Sequence, residues 1–112
     1  MATELATKKC VPCQGGIPPL TPEEIAPLHE QLDGWDVVEH HHLRKAFSFP
    51  NFKTAWDFVN EVAALAEEEN HHPDIYLAWG KVAITMWTHK INGLNESDFI
   101  MAAKIDMLSD AN

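Results

Sequence analysis

Two cysteines, one arginine and five glycines are all that this 112-residue chain holds of those three types. Cys10 and Cys13 form one CxxC, too little for a disulfide framework. The spacing fits half of a tetrathiolate zinc site or a redox pair. However, Pro12 and Gly15-Gly16 surround it in place of the helix N-terminus that activates a thiol, so the pair is read as inert. The lone arginine is Arg44, and eight basic residues face seventeen acidic ones, for a formal charge of -9. Such a surface repels phosphate backbones and anionic lipid, which argues against nucleic-acid and membrane-surface partners. No run approaches the roughly 18 apolar residues of a membrane span. No signal-peptide pattern is visible either, so the expected compartment is the cytoplasm. No glycine-rich loop follows a strand and opens a helix, so nucleotide cradling lacks a motif. Ser48, Ser97 and Ser109 have no nucleophile context.

Hydrophobic residues make up 46% of the chain, enough for one core. Residues 1–20 carry the CxxC, Gly15-Gly16 and Pro18-Pro19 without apolar periodicity, and read as a flexible surface arm. Residues 21–112 read as the folded domain. Thr21-Pro22-Glu23-Glu24 is a helix start with a capping box and proline at the first turn. Pro27 should kink or shorten that helix, and Gly34 should end it. Trp35–Val38 and Leu43–Phe49 read as strands joined through Glu39–His42. Leu43, Lys45, Phe47 and Phe49 share one face of the second.

Asn51 caps the longest helix. Its predicted buried face is Phe52, Ala55, Trp56, Val59, Val62, Ala63 and Ala66. Beyond Pro73 the apolar period becomes two, giving strands over Ile75–Trp79 and Val82–His89. Asn95 and Asp98 then open a last helix whose apolar residues cover more than one face. That helix must be sandwiched within the chain or bury a subunit interface. The order predicts an α+β fold: a four-stranded antiparallel sheet with three helices packed on one side. The open face is left to solvent, a site or a partner.

The chemistry concentrates in Glu67-Glu-Glu-Asn70-His71-His72-Pro73-Asp74 and Thr88-His89. A hairpin between the last two strands would return His89 beside Pro73 and gather three histidines at one sheet edge. Imidazole accepts a proton and imidazolium donates one near neutral pH, so two of them can move a proton between substrate atoms. Three carboxylates at a helix C-terminus oppose the macrodipole. They form a solvated face, or one is kept to orient something. Each histidine taken alone is ordinarily a helix-end or strand-end residue. A zinc site from His71, His72 and His89 is disfavoured because adjacent histidines rarely aim at one ion. His40-His41-His42 reads as a polar turn.

The pattern Glu67-x-x-Asn70-His71-His72-Pro73-Asp74, with Thr88-His89-x-x-x-Gly93-Leu94-x-x-x-Asp98-x-x-x-Ala102, resembles the pterin-4a-carbinolamine dehydratase family from Thr21 to Leu108. The resemblance implies a hydro-lyase, a 4a-hydroxytetrahydrobiopterin dehydratase. Such an enzyme eliminates water from a 4a-hydroxytetrahydropterin to give quinonoid dihydropterin, without metal, nucleotide or other cofactor. It implies proton-transfer roles for His71 and His89, and pterin orientation with some catalysis for His72. It implies substrate binding for Glu67, Asn70, His72, Pro73 and Thr88. Asn70 stands where many members have aspartate, and Trp87 where some have serine. A homodimer or homotetramer is expected, with a pterin as substrate. Some members partner a transcription factor, a role the sequence does not support here. The alternative is a non-enzymatic binding or regulatory protein on the same fold.

Overall fold

Capping and turn chemistry set most of the element boundaries. In the computed structural model, which describes residues 4–8 and 17–111, the elements run in this order: α1 (Glu4–Thr7), α2 (Pro22–His29), β1 (Asp36–Val38), β2 (His42–Ser48), α3 (Phe52–Glu69), β3 (Asp74–Ala78), β4 (Lys81–Met86), a 3-10 turn (His89–Ile91) and α4 (Glu96–Ala111). Thr21 and Glu24 form the predicted capping box on α2. Glu30 closes that helix, so it stops earlier than Gly34. Asn51 accepts from the Thr54 N–H to start α3. The four strands form one antiparallel sheet in the order β1-β2-β4-β3, the predicted α+β fold.

Period-two alternation divides the sheet faces. Leu43, Phe47, Val82, Ile84 and Met86 are buried beneath the helices. Arg44, Ser48 and Tyr76 lie on the open face and are exposed. Lys45 shares the apolar face because its ammonium reaches Asp106 of α4 at 2.8 Å and the Asp33 carbonyl at 2.7 Å. The same Asp106 accepts from the Trp35 indole N–H at 3.0 Å. Removing one partner of such a mostly buried pair costs about 3 kcal/mol. The exposed Lys53–Asp57 pair on α3 contributes only about 0.3–0.5 kcal/mol.

Two expectations require correction. The buried stripe of α3 is Ala55, Phe58, Val62 and Ala66. Phe52, Trp56 and Ala63 are exposed on a second stripe, together with half-buried Val59. Both stripes have helical spacing. The sheet takes the one with Phe58, whose ring packs at 4.9 Å from Phe47 and 5.2 Å from Phe49. The other correction concerns only residues 4–8 of the expected arm. Leu5 of α1 is only 1% exposed and belongs to the core, and the Lys104 ammonium bonds the Ala6 carbonyl. This short helix lies against α4 and explains why α4 is apolar nearly all round: Phe99, Ile100, Met101, Ala102, Ala103 and Ile105 are all buried within one chain. Cys10 and Cys13 lie outside the described residues.

Candidate active site

The end of α3 aims the first part of the site. Asn70 takes the left-handed conformation (φ 53°) and its N–H bonds the Ala66 carbonyl. The His71 N–H reaches back to the same carbonyl, a closure that reverses the chain sharply. Asparagine tolerates this backbone better than most residues, which suits Asn70 to the position. Beyond the reversal the two adjacent histidines take different partners, Asp98 for His71 and Glu67 for His72. Pro73 then leads into β3, and Asp74 pairs with Thr85 on β4.

His89 reaches the same place from the other side, but not on a strand end. β4 stops at Met86, and Thr88 forms an isolated bridge with Gly93 around the 3-10 turn. Asn92 closes that turn in the left-handed region (φ 51°). Gly93 follows because a β-carbon there would lie 2.5 Å from the Pro19 side chain. The sequence pattern carried the strand through His89; the Asn92-Gly93 reversal folds its end into a loop. An open cleft of about 420 Å³ results, lined by Asn70, His71, His72, Trp87, Thr88, His89 and Lys90. Five of the expected site residues thus share one cleft. Glu67 joins through His72, while Pro73, next to His72 in the chain, does not line it.

Each histidine is held differently. The His71 side chain is 15% exposed, and its Nε2 lies 2.6 Å from Oδ1 of Asp98, which is fully buried. The other Asp98 oxygen accepts from the Thr88 hydroxyl at 2.8 Å and the Asn95 N–H at 2.9 Å. An ionised carboxylate only accepts, so Nε2 of His71 must carry the hydrogen, leaving Nδ1 as the basic nitrogen. His72 Nε2 bonds Glu67 at 2.5 Å, an exposed pair that steers the ring. Glu67 is thus the carboxylate of the helix-end run that orients a histidine, while Glu69 lies 3.9 Å from Lys104. His89 is exposed, and its ring stacks on Trp87 with centroids 4.3 Å apart and planes 6° from parallel.

Asp98 is the residue sequence reasoning undervalued. Its spacing from Asn95 marked a helix cap, which it also is, but its bond to His71 crosses 27 residues. Thr88 spends its hydroxyl on Asp98 and thereby fixes the base of the His89 loop. No group of three or more His, Cys, Asp or Glu among the described residues is arranged to hold a metal ion.

A helix-backed antiparallel sheet with a cleft lined by carboxylate-anchored and stacked histidines defines the class, a small α+β domain with a histidine-rich cleft. Comparison narrows the class. The family model described as pterin 4 alpha carbinolamine dehydratase matches residues 18–108, and the chain belongs to that family. A Rubrobacter xylanophilus protein named as a pterin-4-alpha-carbinolamine dehydratase is 61% identical over 106 residues, covering 95% of this chain and 99% of its own. An Alkaliphilus metalliredigens protein named likewise is 54% identical over 103 residues, covering 91% and 93%.

Two solved structures are similar as well. The crystal structure of a transcriptional coactivator/pterin dehydratase from Brucella melitensis has 35% identity and a TM-score of 0.76. It covers 80% of this chain and 97% of that one. A pterin dehydratase-like protein identified as a RuBisCO assembly factor in the alpha-carboxysome has 28% identity and a TM-score of 0.59, covering 69% and 90%.

Proposed function

We propose that this protein is a cytoplasmic 4a-hydroxytetrahydropterin dehydratase working by histidine acid/base catalysis, with the tetrahydrobiopterin derivative as the model substrate. The observation that carries this reading is the His71–Asp98 bond, which leaves His71 Nδ1 as a base in a cleft that also holds His89. The substrate has a hydroxyl on C4a and a proton on N5. His71 takes the N5 proton, the N5 electrons form the C4a=N5 bond, and the C4a–O bond breaks. Protonated His89, with its exposed ring, gives its proton to the departing hydroxyl, so water leaves and quinonoid dihydropterin remains. His72, turned by Glu67, orients the pterin, and the Asn70–Pro73 backbone fixes the histidine pair. Positioning and modest proton transfer suffice for so labile a carbinolamine.

The test is turnover of 4a-hydroxytetrahydropterin, generated in situ and followed by absorbance. The rate should exceed the buffer rate in proportion to enzyme. A rate equal to buffer across the accessible range would end this reading.

We also infer a homo-oligomer, a dimer or tetramer, although the buried α4 removes one of the sequence-based reasons for it. Its support is the second stripe of α3, where Phe52 and Trp56 are 44% and 48% exposed, together with Tyr76 and Trp79 at 61% and 68%. A chain this short has few other ways to cover such rings. Light scattering at low micromolar concentration should give at least twice 12.6 kDa, and Trp56→Glu should lower that mass. A monomeric wild type would refute the assembly. The alternative of a binding or regulatory protein draws on the same exposed rings, and efficient turnover would count against it.

A further inference from the structure

His71 and His72 are each turned by a carboxylate, Asp98 and Glu67. No such partner serves His89: none of the described residues offers its ring a hydrogen bond. It sits exposed at the start of a three-residue 3-10 turn, where an imidazole would otherwise sample several rotamers. What holds it is the face-to-face stack on Trp87.

Trp87 is itself braced, and by the histidine run that otherwise has no role. The β1–β2 connection turns through Glu39 and His40, both at positive φ (53° and 55°), with the His41 N–H bonding the Val38 carbonyl. Two central residues at positive φ match the twist of the flanking strands, but that geometry favours Asn-Gly. Glutamate and histidine adopt it at a conformational cost. The tight turn brings His41 and His42 onto Trp87, with ring centroids 5.4 and 6.0 Å away. His41 and His42 are joined through their Nδ1 atoms at 3.1 Å, and His41 Nε2 lies 2.9 Å from the Asn92 side-chain oxygen. Asn92 closes the very turn that His89 opens. The hairpin tip, Trp87 and the His89 loop therefore form one braced unit at the mouth of the cleft.

We propose that Trp87, braced by His41 of the hairpin tip, is the positioning residue for His89, doing by ring stacking what Asp98 does for His71 by a hydrogen bond. This rests on the assignment of His89 as a proton donor. It gives the His40–His42 run a use, and it gives the tryptophan in place of serine a function beyond packing. A stacked aromatic pair is worth a few-fold to about tenfold in a population of correctly placed rings. A variant that keeps the ring should keep most of that.

The experiment compares wild type, Trp87→Phe, Trp87→Ser and His41→Ala, with Trp87→Ser repeated in the His89→Ala background. Proton NMR of the substrate-free protein reads the stack directly, because the indole ring current shifts the His89 ring protons upfield. That shift should be present in wild type, retained in part by Trp87→Phe and lost in Trp87→Ser. Trp87→Ser should lower kcat roughly three- to tenfold with KM nearly unchanged, and Trp87→Phe should restore most of the loss. His41→Ala should give a smaller drop of about twofold to threefold. In the His89→Ala background, Trp87→Ser should cost nothing further, because the residue acts through the missing ring. A wild-type kcat in Trp87→Ser, or an equal loss in the His89→Ala background, would overturn the proposal. So would an unshifted His89 resonance in wild type. A wild type without turnover would remove the dehydratase reading, whereas the ring-current shift is read without substrate and judges the brace alone.

Discussion

Asp98→Asn is expected to fold normally and to lose on the order of 10²- to 10³-fold in kcat, with a much smaller change in KM. The reasoning is a count of donors and acceptors. In the native site one Asp98 oxygen accepts from both Thr88 and the Asn95 N–H, and the other faces His71. An asparagine has one oxygen and one amide nitrogen. Two donors converge on the first position, so the amide oxygen stays there and the NH2 group turns to His71. Nε2 must then accept, the hydrogen moves to Nδ1, and the nitrogen that should take the substrate proton is blocked. The charge that would stabilise the imidazolium is lost in the same change. Every buried polar group still has a partner, so stability should change little. Asp98→Ala, in contrast, strands three donors at a cost of about 1–3 kcal/mol for each one left without water or another partner. Nitrogen-15 chemical shifts of the His71 ring would report the exchange of tautomers. An Asp98→Asn enzyme with wild-type kcat and a native His71 tautomer would refute this role.

How much of this was legible beforehand varies with the range of the interaction. Thr21, Asn51 and the alternation through Leu43, Phe47, Val82 and Ile84 are local signals, and the elements they predict are present. The second stripe on α3 shows the limit. Phe52-Trp56-Val59-Ala63 and Ala55-Phe58-Val62-Ala66 have almost the same spacing, and only the position of the sheet decides which is buried. Leu5 escaped notice because a four-residue helix carries no period, and its burial depends on α4 far along the chain.

The site followed the same rule. The three histidines were identifiable from residue type and spacing. The partners that make them unequal were not, since Asp98 meets His71 across 27 residues, where α4 packs on the end of α3, and Trp87 meets His41 only across the β2–β4 pairing. The strand expected through His89 becomes a loop because Asn92-Gly93 reverses the chain and Gly93 bridges back to Thr88.

The other large effect is expected from removing the two proton-transfer histidines together. His71→Ala and His89→Ala should each lower the background-corrected rate by about 10²-fold or more. The double variant should fall no further than about threefold below the worse single variant. Loss of water joins two events in one transition state, since N5 gives up its proton as the C4a–O bond breaks. With either proton transfer absent, the other lowers a barrier that is no longer crossed by the assisted route. Residues that act as such a unit are strongly non-additive. Stability should separate the two positions. His89 is exposed and loses only its stack on Trp87, so its replacement should lower Tm less than loss of His71 does. Loss of His71 takes one of three donors from a fully buried carboxylate and should cost about 1–3 kcal/mol. Thermal melts beside the kinetics therefore distinguish lost chemistry from lost fold. Two single losses that multiply in the double variant would mean that the histidines serve separate steps. Full activity in either single variant would remove that histidine from the reaction.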